Sequence, residues 1–236
     1  MAAVSDLPEV SGVFVTGTGT EVGKTVVASV IARMAASEGR KVKVFKPAVS
    51  GLDELPDRGG RKPDWEDARL LGDHELLGLA AGSSQSDDEI SPYRFGPAVS
   101  PHLAAEMSGR EVSPDLIEER AGQAMARCET FVCEGVGGFL VPLTGDYLIR
   151  DFARFLDLPV VIVANPWLGT ISHTLLTIES VREAGLEVVS VVMTPWADRV
   201  GEIEESNRDT VSRLGEVTVR ELPLIDLRRP SEWPAL

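Results

Sequence analysis

The sequence predicts an α/β fold with a single doubly wound, mostly parallel sheet and helices on both of its faces. Three observations indicate this fold. Short runs of β-branched residues alternate with longer segments of helical periodicity, which is typical of successive β-α-β units. A glycine-rich turn at residues 17–25 lies between the first strand-like run and the first helical segment. The length of 236 residues suits one such domain, so we expect one over residues 1–236, with its core at about 11–225 and a C-terminal extension at 226–236.

The first elements are predicted from periodicity and from proline. The β-branched run at residues 10–16 predicts a strand, and apolar residues at helical spacing predict a helix over about 24–39. Residues 41–46 alternate apolar and basic side chains, which predicts the next strand. Pro47 keeps the preceding residue extended, so Lys46 is expected at the carboxyl end of that strand.

The middle of the chain is predicted to be less regular. Residues 52–64 are rich in glycine, proline and charge and predict a surface loop, which a short helix at 65–71 follows. The polar stretch at 82–89 is expected to be exposed. Ser113 and Pro114 predict the start of a helix, because serine caps and proline suits the first turn.

The rest of the chain repeats the alternation of strands and helices. In order, the pattern predicts strand 130–133, helix 147–157, strand 160–164, helix 170–184, strand 188–193, helix 201–214 and strand 217–222. Together with the first two strands this makes six. Ligands of such sheets bind at the carboxyl ends of the strands.

Composition and charge argue against several classes of protein. The formal net charge of −14 argues against a nucleic-acid partner, because phosphate backbones are bound by clustered Lys and Arg. No apolar segment approaches the roughly 20 residues that span a bilayer, and residues 1–10 do not have the pattern of a signal peptide. Two cysteines cannot form a disulfide framework. We therefore expect a cytoplasmic protein without membrane association.

The turn at residues 17–25 predicts binding of a nucleoside triphosphate in a P-loop NTPase-like fold. Its glycines let backbone N–H groups converge on phosphate oxygens, and the helix N-terminus adds about half a positive charge. Lys24 can reach between the β- and γ-phosphates, and the Thr25 hydroxyl can bind Mg²⁺. The loop is one residue longer than the general pattern, because Gly17 lies six residues before Gly23. The motif does not identify the phosphate acceptor.

Residues outside the loop complete the candidate site. Glu134 ends an apolar strand and enters a glycine turn, where a carboxylate can complete a Mg²⁺ shell. Lys46, at the carboxyl end of a strand expected beside the P-loop strand, is expected to face the transferred phosphoryl group. Three further carboxylates, Asp64, Glu66 and Asp67, lie near a predicted helix start, where acidic residues are favoured whatever their function. The residues alone therefore do not favour any one of the three as a Mg²⁺ ligand.

Five segments match the motifs of one family in order and approximate spacing. They are residues 16–25 (TGTGTEVGKT), 45–51 (FKPAVSG), 91–95 with 100–102 (SPYRF and SPH), 134–138 (EGVGG) and 168–173 (LGTISH). Over about residues 11–225 the chain resembles the dethiobiotin synthetases, the ATP-dependent carboxylases of biotin biosynthesis. The longer P-loop is itself typical of that family. The Lys-Pro-x-x-Ser-Gly segment discriminates best, because general P-loop ATPases lack it.

The resemblance implies a ligase reaction. 7,8-Diaminopelargonate reacts with CO₂ to give a carbamate, ATP phosphorylates the carbamate, and the second amine closes the ureido ring of dethiobiotin with release of ADP and phosphate. The carbamate and the triphosphate are both anionic, so Lys24, Lys46 and Mg²⁺ would neutralise their charge. The resemblance also implies a homodimer with the substrate site at the interface.

The resemblance further implies a role for each matching residue. Catalytic roles fall to Lys46 and Lys24, and Mg²⁺ ligation to Thr25, Asp67 and Glu134; the Asp67-Ala68 pair matches the family's and favours Asp67 over its neighbours. Substrate contacts fall to Thr20, Ser50, Gly169, Thr170 and Ser172. Nucleotide contacts fall to Glu21, Val22, Gly23, Lys24, Thr25, Val26, Asp67, Glu134, Gly135, Val136, Gly137, Thr194, Pro195, Pro223, Leu224 and Ile225.

Two positions depart from the family's pattern. Val136 stands where alanine is usual, a small change. Thr194, Pro195 and Trp196 replace the usual Asn-Asp pair that reads adenine, and threonine cannot copy the donor and acceptor of an amide. Selectivity for the base is therefore expected to be relaxed, or Trp196 to stack on it, so that another nucleoside triphosphate could replace ATP.

Two other classes share the P-loop. A cobyrinate amide-forming ligase would need a glutaminase domain with a nucleophilic cysteine, for which no length remains. A ParA- or MinD-like switch ATPase would carry a second lysine early in the loop, and none occurs between Thr16 and Glu21. The sequence favours the synthetase over both.

Overall fold

The computed structural model describes residues 12–57, 59, 61–197 and 199–236. Two predictions fall outside the described residues. One is the start of the first predicted strand at Val10 and Ser11, and the other is the absence of a signal peptide in residues 1–10. Within the described residues the elements are, in order, β1 Gly12–Gly17, α1 Lys24–Ser37, β2 Val42–Phe45, β3 Ala48–Val49, α2 Asp73–Ala81, α3 Asp87–Ile90, β4 Tyr93–Arg94, α4 Pro101–Met107, α5 Pro114–Met125, β5 Thr130–Glu134, α6 Ile149–Leu156, β6 Val160–Ala164, α7 Thr170–Glu183, β7 Val188–Trp196, α8 Glu202–Gly215 and β8 Val219–Pro223.

Six strands form one parallel sheet in the order β2-β5-β1-β6-β7-β8. The chain leaves the central β1 toward one edge and later continues toward the other edge, so the switch of direction lies beside β1. The short strands β3 and β4 pair separately, also in parallel. The predicted doubly wound, mostly parallel sheet is therefore confirmed. The expectation that β2 lies beside the P-loop strand β1 was wrong, because β5 lies between them.

The alternation of side chains along β1 places hydrophobic layers on both faces of the sheet. Val13 and Val15 belong to the layer that α1 and α2 cover. Phe14 belongs to the other layer, against α5 to α8, where its ring meets Phe152 at a centroid distance of 6.2 Å. Phe45 of β2 meets the same ring at 6.0 Å. Burial on both faces explains why the central strands read as continuous apolar runs.

The structure differs from the prediction between residues 65 and 90. Only a 3₁₀ turn, Ala68–Leu70, forms in the predicted short helix, and the unpredicted helix α2 follows it. The polar Asp-His-Glu start of α2 makes its apolar stripe hard to recognise in the sequence. In the structure α2 packs against α1. The stretch at 82–89 is exposed or half-buried, as predicted, but its end also forms α3, capped by Ser86. Tertiary packing, rather than local helix propensity, determines which helices form in this region.

The last strands are longer than predicted on their carboxyl side. β7 continues to Trp196, which pairs with Pro223 of β8. Beyond β8, a 3₁₀ turn forms at Pro230–Glu232, and Leu236 is buried. None of the helices in the described part of the chain is both long and apolar enough to cross a membrane.

Candidate functional site

The P-loop connects the end of β1 to the start of α1. Gly23 has φ +92°, and a Cβ atom there would lie 2.7 Å from the Thr194 methyl group, so both the backbone and the space require glycine. The Thr18 N–H donates to the Val163 carbonyl at 3.0 Å, which anchors the loop to β6. The loop therefore rests on the carboxyl ends of its neighbouring strands.

Lys24 is the first residue of α1 and is only 7% exposed. Its Nζ donates to the carbonyl of Gly19 at 2.7 Å, across the loop. Burial lowers the pKa of Lys24 to about 8, although the Glu134 carboxylate opposes this shift. A bound phosphate would favour the charged lysine, which is the expected role of this residue.

Lys46, directly after β2, lies between the Glu134 carboxylate at the end of β5 and the Asp73 carboxylate at the start of α2. Its Nζ donates to Glu134 Oε1 at 2.6 Å and to Asp73 Oδ2 at 2.5 Å. The Lys46 and Glu134 side chains are 4% and 0% exposed, whereas the Asp73 side chain is 44% exposed. Because Phe45 pairs with Cys133, the register of β2 and β5 brings Lys46 and Glu134 to the same level.

The pKa values in this cluster follow from burial and mutual attraction. Burial alone would lower the pKa of Lys46, but Asp73 and Glu134 outweigh it and raise that pKa. Burial raises the pKa of Glu134 against the effect of Lys46, whereas the Lys46 charge outweighs burial at Asp73 and lowers its pKa. Lys46 is therefore a fixed cation at neutral pH rather than a general base.

The oxygens around Glu134 fit a bound Mg²⁺ ion. The Thr25 hydroxyl donates to Glu134 Oε1 at 2.9 Å, so a hydroxyl and a carboxylate already meet. Glu134 Oε2 is buried and has no hydrogen-bond partner among the described residues. Nor do these residues include a group of three or more His, Cys, Asp or Glu side chains that could hold a metal. Mg²⁺ usually takes one or two carboxylates together with substrate phosphates, which agrees with this arrangement.

Asp73 is a further candidate site residue, which the sequence analysis missed. It begins α2, and its carboxylate lies against Lys46. Asp67 instead pairs with Arg61 at 3.1 Å, and its N–H donates to Asp64. The sequence did contain a signal for this position. An apolar stripe at helical spacing ends at Gly82, which indicates a helix with the acidic Asp73 in its first turn.

One further motif segment lies beside the P-loop, and two others pair with each other. A Cβ at Gly138 would lie 3.7 Å from the Gly17 carbonyl, so the glycine turn containing Gly135, Val136 and Gly137 borders the loop. The pairing of β3 with β4 joins the Lys-Pro-x-x-Ser-Gly segment, including Ser50, to the SPYRF segment. Thr20 and Glu21 are exposed at the outer side of the loop, while Val22 is buried and Val26 half-buried.

The predicted substrate turn precedes α7. Gly169 has φ +94° and directly precedes α7, and Thr170 is buried with its hydroxyl 3.2 Å from that of Thr174. Ser172 is exposed on the first turn. Asn207 of α8, itself 6% exposed, donates to the carbonyls of the turn at 2.8 and 3.1 Å, those of Pro166 and Trp167.

Substitution Asn207→Ala is expected to destabilise the protein by about 1–3 kcal/mol, because two loop carbonyls lose their buried donor. Chemical denaturation measures this effect. Thr210→Ala, a truncation on the same helix, is the control and should change the unfolding free energy by less than about 0.5 kcal/mol. Equal losses in both variants would show that the amide does not hold the turn.

The predicted base edge lies after β7 and β8. Thr194 is buried with its methyl group toward Gly23, and Pro195 follows it through a cis peptide bond. Trp196 is only 7% exposed, and the Arg208 guanidinium lies 5.8 Å from its ring centroid, so its ring packs in the core rather than offering an open stacking surface. The other predicted base contacts, Pro223, Leu224 and Ile225, range from half-buried to 83% exposed.

Comparison with solved structures shows the fold. The chain is similar to the cell division ATPase MinD of Pyrococcus furiosus, with a TM-score of 0.52 and 13% identity over 91% of this chain and 84% of that one. MinD of Pyrococcus horikoshii, solved with Mg-ADP, gives a TM-score of 0.52 and 14% identity over 93% and 85% of the two chains. At these identities the likeness shows the fold alone, which agrees with the doubly wound sheet described above.

Comparison of sequences identifies the family. A family model described as an AAA domain matches residues 11–225. The ATP-dependent dethiobiotin synthetase of Bacillus subtilis subsp. natto is 36% identical over 208 residues, 88% of this chain and 84% of the relative. The enzyme of the same name from Bacillus licheniformis is 37% identical over 204 residues, 86% of this chain and 81% of the relative. The chain therefore belongs to the family of ATP-dependent dethiobiotin synthetases.

Proposed function

We propose that this protein is an ATP-dependent ligase that converts 7,8-diaminopelargonate and CO₂ to dethiobiotin, with release of ADP and phosphate. The observation that carries the proposal is the buried Lys46, held as a cation between Glu134 and Asp73 beside the P-loop. A carbamate and a triphosphate repel each other, so a fixed cation at the point where they meet lowers the cost of bringing them together.

Each part of the site has a role in this reaction. The P-loop N–H groups and Lys24 hold the phosphates, and Lys46 stabilises the carbamate and the phosphoryl group in transfer. Thr20 and Ser50 contact the substrate near the reacting amines. Lys46 does not accept a proton, because its pKa is raised and it is already charged.

Mg²⁺ would supply charge neutralisation and orientation of the phosphates when bound. We propose Thr25 and Glu134 as its protein ligands, because their oxygens already meet and Glu134 Oε2 has no other described partner. The third ligand is either Asp67, which the resemblance implies, or Asp73. The geometry favours Asp73, which shares Lys46 with Glu134.

Substitution Asp73→Asn is expected to raise the Mg²⁺ concentration for half-maximal turnover by about 10–100-fold, because the site loses a charged oxygen. Asp67→Asn serves as the matched comparison and should change this requirement by less than about threefold, since its carboxylate pairs with Arg61. A titration of turnover against Mg²⁺ decides between them. The reverse ranking would assign the ligand to Asp67.

A homodimer would complete the substrate site. Gly169, Thr170 and Ser172 lie at a helix N-terminus, which suits the tail carboxylate of the substrate. Large apolar side chains beside this turn are exposed, Trp167 by 51% and Leu168 by 92%. An interface there would bury them. Sedimentation measurements on the wild-type chain test this part of the proposal, and a monomer at assay concentrations would contradict it.

The assignment is tested by supplying diaminopelargonate, bicarbonate and Mg²⁺ with each nucleoside triphosphate in turn. Dethiobiotin is expected with ATP. With Thr194 facing Gly23 and Trp196 buried, no side chain of this segment supplies the amide pattern that reads adenine. Other triphosphates should therefore also support turnover. The absence of dethiobiotin with every nucleotide would overturn the proposed function, and strict use of ATP would overturn the relaxed selectivity alone.

A further inference from the structure

The C-terminal segment, residues 226–236, lies against the segment that leads into α2. The indole rings of Trp233 and Trp65 meet edge to face, with centroids 5.4 Å apart and an angle of 89° between the rings. The Trp233 indole N–H donates to the Asp226 carbonyl at 3.0 Å, which fixes the direction of the ring. Edge-to-face aromatic pairs are favourable beyond the area they bury.

Two apolar contacts extend this seam on either side of the tryptophan pair. Leu227 packs against a small cluster formed by Ala68, Leu71 and Leu76, which spans the 3₁₀ turn and the first part of α2. Leu236 is 8% exposed and packs in the hydrophobic layer that α1 and α2 cover. Trp233 and Leu227 thus attach the C-terminal segment to residues 65–76, and Leu236 attaches its end to the layer that α1 and α2 cover.

The region under this segment sets the position of Asp73. Residues 65–71 run directly into Gly72 and the first residue of α2, which is Asp73. The Asp73 side chain is 44% exposed, so packing of the side chain itself holds it only in part. Its approach to Lys46 at 2.5 Å therefore depends on where the backbone of residues 65–72 lies.

We infer that residues 226–236 are a strap and that Trp233 is a positioning residue: by holding Trp65, it places the Asp73 carboxylate against Lys46. The strap begins directly after residues 223–225, which are predicted to contact the base. It therefore connects the base end of the nucleotide site to its metal end. This inference rests on the proposed function, in which Asp73 helps to hold Mg²⁺.

The test uses full-length variants at position 233 and a stability control. Trp233→Ala removes the ring contact, Trp233→Leu keeps apolar volume without an aromatic ring, and Trp233→Phe keeps a ring against Trp65. Ile117→Val is the control, because Ile117 is fully buried in α5 on the opposite face of the sheet. For each protein the Tm is measured, and calorimetry gives the Mg²⁺ concentration at half-saturation of ATP binding without other substrates.

Trp233→Ala is expected to raise this Mg²⁺ concentration by about tenfold, at the lower end of what outer-shell partners contribute. Trp233→Phe should stay within about twofold of wild type, since an aromatic pair remains. Ile117→Val should lower the Tm without changing the Mg²⁺ requirement. The inference is overturned if Trp233→Ala changes only the Tm, or if the control shifts the Mg²⁺ requirement equally.

The design also covers a variant that does not fold and a failure of the proposed function. Should Trp233→Ala not fold, Trp233→Leu decides, and an unchanged Mg²⁺ requirement in that variant overturns the inference. Should the wild-type protein make no dethiobiotin, the proposed reaction fails, but the binding measurement still shows whether Trp233 positions the metal end of the nucleotide site.

Discussion

Substitution Lys46→Ala is expected to reduce turnover by about 10²–10³-fold or more while leaving nucleotide binding largely intact. In the proposed mechanism the P-loop and Lys24 hold the phosphates, whereas Lys46, which pairs with Glu134, stabilises the transferred group where it meets its acceptor. The substitution also leaves the fully buried Glu134 without its cation, which costs stability on the order of 3–5 kcal/mol unless the carboxylate takes up a proton. Single-turnover kinetics and calorimetry with ATP measure the two properties separately.

Two further variants separate charge from packing at this position. Lys46→Met keeps most of the apolar stem without the charge, and it should lose turnover to the same extent. Lys41→Ala removes an exposed lysine that precedes the same strand and should keep turnover within about twofold. Loss of ATP binding in Lys46→Ala, in a protein that remains folded, would show that Lys46 belongs to the nucleotide site instead.

Substitution Gly23→Ala is expected to weaken nucleotide binding by about 100-fold, because displacing the start of α1 by even an ångström misplaces the N–H groups that hold the phosphates. The added Cβ would lie 2.7 Å from the Thr194 methyl group, and φ +92° is itself strained for alanine by about 1–2 kcal/mol. Equilibrium binding of ATP measures the loss.

Gly39→Ala is the matched control for this effect. Gly39 follows the same helix and has φ +81°, yet no heavy atom within 4 Å would meet its Cβ. It should lose a similar amount of stability without losing affinity for ATP. Adding Thr194→Ser to Gly23→Ala removes the crowding methyl group and should restore part of the affinity. No recovery in the double variant would attribute the loss to backbone strain alone.

The strand ends of the site could be predicted from the sequence because their signals are local. Gly-Lys-Thr after an apolar strand, Lys46 before Pro47 and Glu134 before a glycine turn each carry the information within a few residues. Their mutual proximity follows from the rule that parallel strands share a carboxyl edge. The structure confirms this proximity for Lys46 and Glu134, which meet at 2.6 Å.

Asp73 could not be predicted in the same way. Its position depends on the packing of α2 against α1 and on a partner 27 positions earlier in the chain. The two-residue strands β3 and β4 likewise depend on each other across the fold and carry no periodicity of their own. Trp196 shows the same limit, because its burial follows from the extension of β7 alongside β8.

The position of β5 between β1 and β2 has a consequence for biosynthesis. β1 and β2 are consecutive strands in the chain but do not pair with each other. A nascent chain that extends only to the end of β2 therefore lacks β5, the strand that joins them. The residue that unites Thr25 with Lys46 is supplied only when β5 has emerged from the ribosome and entered the gap. Such long-range pairing is intrinsically slow, and a release of the chain before residue 134 would leave β1 and β2 with unpaired edges that invite aggregation.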